Sequence, residues 1–435
     1  MSSRSATAGA AARAAQRRKV ESMRRAGRRW RLAALLVGPG LLTMIGENDG
    51  PSMISYAATG RTYGFGLFLP FIAVSFLLAA VVQEMCARVG AVTGRGYGEL
   101  VAGRYGPFWG SLAAGDLVVT NFVTLVAELV AVRAGLAYFG VGAPVAVALG
   151  VAAVAAGLWG QRYRSWERRA LGLAVFNSLF VAAAVAAHPP LAALAGSFAT
   201  TSPLGAGFPR GQLAVLVAST LGATITPWMI FFQQGAVVDK GLGPADVGHG
   251  RLDLAIGTVA AALCAGGAYV AAAGAGSRAI GLTATRSLVA LVSPAARPLF
   301  ALGLVEAGGL ALLTIAASGA YAMGECLGLP HSFDAGIRGA PAFYGVNLAL
   351  PLLAGALVVA PGVPLLAIAV DSNVLATVLL PVTLVFLLLL ANDRELMASA
   401  VNGALANLLG VLVAVVVVVA GAAAALGGLL QALRP

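Results

Sequence analysis

The sequence predicts an all-α polytopic membrane protein of about eleven transmembrane helices, folded as two inverted five-helix repeats whose first helices, spans 1 and 6, are broken. Three observations carry this expectation. Hydrophobic residues make up 59% of the 435 residues and charged ones only 10%, where a soluble domain has about a quarter charged. Apolar runs of about 20 residues recur along the chain, each enough to cross a hydrocarbon core of roughly 30 Å as a helix. Two of those runs, five spans apart, are interrupted mid-membrane by proline and polar residues, the expected mark of an inverted repeat.

The chain starts with a basic tail, residues 1–32, which holds ten of the 28 Lys and Arg in stretches such as AAQRRKVESMRRAGRRWR. It is too long and too basic for a secretory signal peptide and lacks a small-residue cleavage site, so a solvated terminus is expected. With the tail in the cytoplasm, the inside loops hold 21 basic residues and the outside segments six, with Arg133 inside span 3. That is the positive-inside pattern, and an odd span count leaves the C-terminus outside. The net charge of +11 therefore speaks for contact with anionic lipid at the cell inner (plasma) membrane and against nucleic acid as a partner. A monomer is expected.

The first repeat, residues 33–190, places spans near 33–57, 66–92, 107–137, 142–160 and 170–187. The second, residues 191–392, places them near 212–235, 252–275, 298–322, 343–361 and 366–390. Residues 393–435 add span 11, near 397–430, built mostly of Val, Ala, Leu and Gly and bringing no chemistry. Cys86, Cys264 and Cys326 lie far apart without C-x-x-C spacing, so free thiols are expected. His188, His249 and His331 are unclustered, which argues against a histidine-built zinc site. Gly94, Gly96 and Gly98 form a glycine-rich loop with no preceding strand and therefore no phosphate cradle. Glu84, Glu306 and Glu325 fall near span ends or on helix faces and are expected to be packing or solvated groups.

The chemistry concentrates at the two breaks. Span 1 is interrupted by GENDGPS, residues 46–52, and span 6 at Thr224 to Trp228 around Pro227. Proline removes a helical N–H and clashes with the preceding turn, so both helices open there and leave carbonyls unpaired. Unpaired backbone at that depth is tolerated only around a buried cavity or ligand, and freed carbonyls suit a cation. Gly50, Pro51, Pro227 and Trp228 are the break or gate residues. An ionisable residue at the bilayer centre costs at least about 2.5 kcal/mol, and spans 1, 6, 8 and 10 have no Lys or Arg in their middles to offset Glu47 and Asp49. Asp49 reads as a site residue. Glu47 has two readings, as a ligand or as an acid lining a water-filled vestibule.

These motifs resemble the natural resistance-associated macrophage protein (NRAMP) family of divalent-metal transporters, from about Gly38 to Met397. The family's G-P-G, eight residues, then D-P-G-N is similar to Gly38-Pro39-Gly40 followed without a gap by Asp49-Gly50-Pro51-Ser52. Its V-T-G and downstream E are similar to Val92-Thr93-Gly94 and Glu99, and span 10 resembles it through Ser372-Asn373-Val374, Leu380-Pro381 and the run from Asn392 to Met397. The resemblance implies the LeuT-like 5+5 fold and a secondary transporter, not an enzyme, working by alternating access. It implies no cofactor, only the transported ion. Carried over position by position, it implies as metal ligands Asp49, Ser52, Thr226, the Asn373 side chain and the carbonyls of Gly46 and Ala223, with Glu47 as an additional acid.

The departures matter as much. Thr226 stands where the family has a methionine, Ser52 where it has an asparagine, and Asn373 where it has a glutamine, so every implied donor is oxygen. Hard oxygen ligands suit Mg²⁺, Ca²⁺ or Mn²⁺, and the pattern resembles the NRAMP-related magnesium transporter branch; drift in a manganese-selective site is the other reading. The family moves a proton along acids on span 3 and a histidine on span 6. Matching Thr120-Asn121 to its T-D places Asn121 and Thr124 at the acidic positions, and Trp228 and Gln233 stand at histidine positions. That implies uncoupled transport, although Asp116 and Glu128 remain on span 3 as alternative relays in a proton-coupled Mn²⁺/Fe²⁺ importer. An organic solute carrier on the same fold is disfavoured by two acids at the break. A membrane enzyme using Glu47 and Asp49 as an acid/base pair would lack a nucleophile.

Overall fold

The computed structural model describes residues 18, 20, 22, 25, 26, 36–159, 162–199, 210–276, 287–360, 362 and 364–432. The basic tail expected from the sequence lies almost wholly outside them. Among the described residues the regular structure is entirely helical.

The first span is two helices, α1 (Pro39–Gly46) and α2 (Gly50–Tyr63), followed by α3 (Phe68–Thr93), the short α4 (Tyr97–Tyr105), α5 (Pro107–Tyr138) and α6 (Ala143–Leu158). The fifth span is α7 (Tyr163–Ala174), a 3₁₀ turn at Val175–Ser178, and α8 (Leu179–Ala186). The sixth is again divided, into α9 (Arg210–Gly222) and α10 (Pro227–Lys240). The series closes with α11 (Val247–Ala273), α12 (Arg297–Leu327), α13 (Pro341–Val358), α14 (Leu365–Asn392) and α15 (Ala404–Ala432).

Nine helical segments among the described residues are long and apolar enough to cross a membrane, counting α9 with α10 as one; α6 is a shorter apolar helix. With the α1–α2 pair these account for the spans expected from the sequence. Several expected boundaries shift by about five to seven residues: span 1 runs to Tyr63, span 5 begins at Tyr163, span 6 reaches Lys240, span 7 begins at Val247, span 8 ends at Leu327 and span 11 begins at Ala404.

Local sequence explains the ends. Pro107 and Pro341 sit in the first turns of α5 and α13, where a missing N–H costs nothing. Gly94 ends α3 in the left-handed conformation, φ 66°, and its N–H bonds Gly90 O.

Packing places the broken helices at the centre. α5 lies along α12 over much of its length, while α11 backs both α1 and α2, and α2 also meets α14. The α5–α12 contact depends on Gly308: a Cβ there would stand 2.9 Å from Glu128 O. At the α1–α2 break it is Gly50 that lets α5 approach, since a Cβ there would stand 2.2 Å from Ala131 Cβ and 3.1 Å from Glu128 Oε2.

Of the two expected readings, packing or solvated, Glu306 and Glu325 follow the first. Each is only 5% exposed, because α12 runs through the middle of the bundle and has little lipid- or water-facing surface. Glu84 pairs with Arg88 and Arg251 at 3.1 and 2.8 Å. The three cysteines are free, Cys86 and Cys264 buried and Cys326 half-buried.

Candidate cation site at the paired helix breaks

Glu47 ends α1, Asp49 caps α2, and the chain between them is unwound. The Asp49 backbone is extended, and its Oδ1 accepts the Ser52 N–H at 2.8 Å, so a carboxylate satisfies a donor that the proline-initiated helix leaves free. In an unbroken helix the Gly50 N–H would bond Gly46 O. Here it donates to Glu128 Oε2 on α5 at 3.0 Å, leaving the Gly46 carbonyl without that bond.

The second break meets the first across one hydrogen bond. Thr226 precedes Pro227 with extended backbone, and its hydroxyl does not cap α10. It donates to Glu47 Oε2 at 2.9 Å instead. Glu47 Oε1, Asp49 Oδ2, Ser52 Oγ and Glu128 Oε1 are buried without a hydrogen-bond partner. These four unpaired oxygens lie at the first helix break and on the α5 residue bonded to it, a donor chemistry that suits a hard cation. Among the described residues no Lys or Arg pairs with Glu47, Asp49 or Glu128. Nor do three His, Cys, Asp or Glu side chains form a metal-holding group by themselves. A cation here must complete its shell with hydroxyl and carbonyl oxygens or with water.

The break is shut off from solvent, with Glu47, Asp49, Ser52 and Glu128 fully buried and Thr226 1% exposed. Toward the end of α2, Tyr56 Oη donates to Ala223 O at 2.6 Å, while Asn373 Nδ2 and Ser219 Oγ bond Ser55 Oγ at 3.0 and 2.9 Å. Toward the start of α1, Lys240 Nζ holds Glu167 Oε1 at 2.7 Å and Val37 O at 2.6 Å. Asp253 Oδ2 accepts the N–H groups of Gly38 and Gly40 at 3.1 and 2.8 Å, and Thr43 Oγ1 donates to Gln233 Oε1. Trp228 is fully buried, and a Cβ on Gly46 would lie 3.2 Å from its ring.

The structure thus brings together Glu47, Asp49, Ser52, Thr226 and the Gly46 carbonyl. Two residues expected as ligands are engaged elsewhere: Ala223 O is taken by Tyr56, and the Asn373 amide faces Ser55, about one helical turn past Ser52. Of the two relay residues, Glu128 joins the break. Asp116 lies twelve residues earlier on α5, about 18 Å along the axis, and accepts from Thr383 Oγ1 at 3.4 Å. Asn121 and Thr124 bond main-chain carbonyls, Ile315 O and Thr120 O. The face of α5 that meets the break therefore carries Glu128. Sequence reading missed the involvement of Asn48, whose only signal was its place between the two acids.

The sequence matches the family described as "Natural resistance-associated macrophage protein-like" over residues 40–426. It is 27% identical to the divalent metal cation transporter MntH of Aeromonas hydrophila, over 88% of this chain and 93% of that one. It is also 27% identical to MntH of Yersinia enterocolitica, over 92% and 96%. The fold resembles that of the Eremococcus coleocola manganese transporter, with a TM-score of 0.73, 20% identity, and coverage of 90% of this chain and 86% of that one. It resembles more distantly MhsT, solved with L-phenylalanine, with a TM-score of 0.55, 14% identity, and coverage of 89% and 98%.

Proposed function

The chain belongs to the natural resistance-associated macrophage protein family, whose members are membrane transporters and not enzymes, and from that premise we propose that it carries divalent metal cations by alternating access, with Mg²⁺ and Mn²⁺ as cargo. The observation that carries this reading is the sealed break in which carboxylate, hydroxyl and carbonyl oxygens converge without a basic partner. Relatives with the same family match are named as divalent metal cation transporters and, for a solved structure, a manganese transporter. The proposed site is Asp49 and Glu47 with Ser52, Thr226 and Gly46 O, and Glu128 beside them. It contains no sulfur or imidazole, which favours hard ions.

Residues 33–190 and 191–392 serve as the two repeats, residues 1–32 face the cytoplasm, and the C-terminus lies outside. In that orientation the Lys240–Glu167 and Asp253 contacts form the inner seal, and the Tyr56, Ser55 and Asn373 contacts form the outer one. Ala223 and Asn373 then belong to the seal that opens to admit the ion. Transport is read as uniport. Between Glu128 and Asp116 the polar side chains of α5 bond main-chain carbonyls, which argues against a continuous proton path along that helix.

The test is uptake of Mg²⁺ and Mn²⁺ into proteoliposomes by Asp49→Ala. The variant is expected to fold, because removing a buried carboxylate removes its insertion cost, and to lose uptake. Wild-type rates from folded Asp49→Ala would refute the site.

A further inference from the structure

Asn48 stands between Glu47 and Asp49 and turns to other helices. Its Nδ2 donates to Ala261 O on α11 at 2.8 Å and to Asn177 Oδ1 at 3.0 Å. Asn177 lies in the 3₁₀ turn that interrupts the fifth span, and its own Nδ2 donates to Glu306 Oε2 on α12 at 3.1 Å and lies 3.4 Å from Asn48 O. Asn48 is fully buried, Asn177 is 1% exposed and Glu306 is 5% exposed. Among the described residues no Lys or Arg pairs with Glu306. A carboxylate facing only a neutral amide inside a membrane bundle is costly to keep, and its packing contacts do not offset that cost.

Its acceptor character accounts for the arrangement. Glu306 Oε2 accepts from the Asn177 NH₂, which leaves the Asn177 oxygen to Asn48. Asn48 must then present its own NH₂, which also reaches Ala261 O. The unwound turn has lost the Gly50-to-Gly46 bond that would otherwise hold it, so side chains fix its shape. Thr226 and Glu128 hold it through Glu47 and Gly50, and the Glu306–Asn177 chain holds it through Asn48.

We infer that Glu306 and Asn177 are positioning residues for the cation site, acting through Asn48 on the turn that carries Asp49 and the Gly46 carbonyl. This rests on the reading of Asp49 as a ligand. Partners that orient ligands in this way typically change metal affinity 10- to 100-fold when removed.

The test measures KM and Vmax for Mn²⁺ uptake in proteoliposomes, with thermal unfolding of each purified variant. Glu306→Ala and Asn177→Ala are expected to raise KM by about 10- to 100-fold with Vmax little changed. Glu306→Gln, whose amide oxygen still accepts from Asn177, is expected to restore KM. The double variant Glu306→Ala/Asn177→Ala should be no worse than either single one, since both cut one chain. A wild-type KM in Glu306→Ala, whether or not it unfolds earlier, would overturn the inference; so would Glu306→Gln matching Glu306→Ala, or additive effects in the double variant. Asp49→Asn run alongside separates the two readings. If it transports with wild-type KM, the site itself is wrong; if it is dead while Glu306→Ala is normal, only the positioning role fails.

Discussion

Thr226 donates a 2.9 Å hydrogen bond to Glu47 across 179 residues of sequence, and this bond joins the two helix breaks directly. In the proposed site it would set the donor chemistry, because Thr226, just before α10, donates to the carboxylate and offers its hydroxyl oxygen to an incoming ion. Thr226→Val keeps the shape and deletes the hydroxyl. The loss of a hydrogen bond to a charged group, about 1.5 kcal/mol, corresponds to roughly a tenfold drop in Mn²⁺ affinity, measurable by calorimetry on purified protein.

Thr226→Met replaces that hydroxyl with a soft thioether. Discrimination for Cd²⁺ and Mn²⁺ over Mg²⁺ is expected to rise. Competition uptake with the three ions checks it, and unchanged relative rates would remove Thr226 from the selectivity argument.

Glu128→Gln retains an acceptor for the Gly50 N–H while removing a charge beside Asp49. The expected result is a folded protein with Mn²⁺ affinity lowered about tenfold, the effect of a partner adjacent to the ligands. The same residue tests energy coupling. A divalent cation gains about 4.6 kcal/mol from a 100 mV inside-negative potential, enough to drive uniport. Proteoliposomes holding a pH-sensitive dye should stay unacidified as Mn²⁺ enters; acidification that tracks entry and vanishes in Glu128→Gln would reverse the uniport reading.

Lys240 and Glu167 are 1% and 6% exposed and 2.7 Å apart. Lys240→Met leaves Glu167 buried and uncompensated, which costs about 3–5 kcal/mol. A marked fall in the thermal midpoint is expected in detergent. Lys240→Met/Glu167→Leu should recover most of it, since neither charge is then stranded.

The breaks were legible in the sequence because proline removes a helical N–H and a carboxylate in an apolar run needs a polar neighbour, so the two together mark an opened helix at a buried polar site. Glu47 and Asp49 could be named as candidates for that reason, whereas Ser52 and Thr226 entered as candidates only through the family resemblance. The contacts of Ala223 and Asn373 were not legible, because their partners Tyr56 and Ser55 lie 167 and 318 residues away in the chain. No local pattern reports such a contact. Glu128 was visible as an acid, but the period of α5 does not say which neighbour its face meets, and that depends on Gly50 letting α5 approach the break. Glu306 looked like an ordinary helix-face acid because sequence does not show that α12 is enclosed on nearly all sides.

Whether the two breaks form one oxygen-only cation site around Asp49 is tested most directly by a crystal structure of the protein soaked in Mn²⁺, with anomalous scattering recorded. The expected result is a single anomalous peak between α1, α2 and α10, about 2.0–2.6 Å from Asp49 Oδ2, with Thr226, Ser52 or the Gly46 carbonyl completing the shell. A peak elsewhere in the bundle, with Asp49 unliganded, would contradict it.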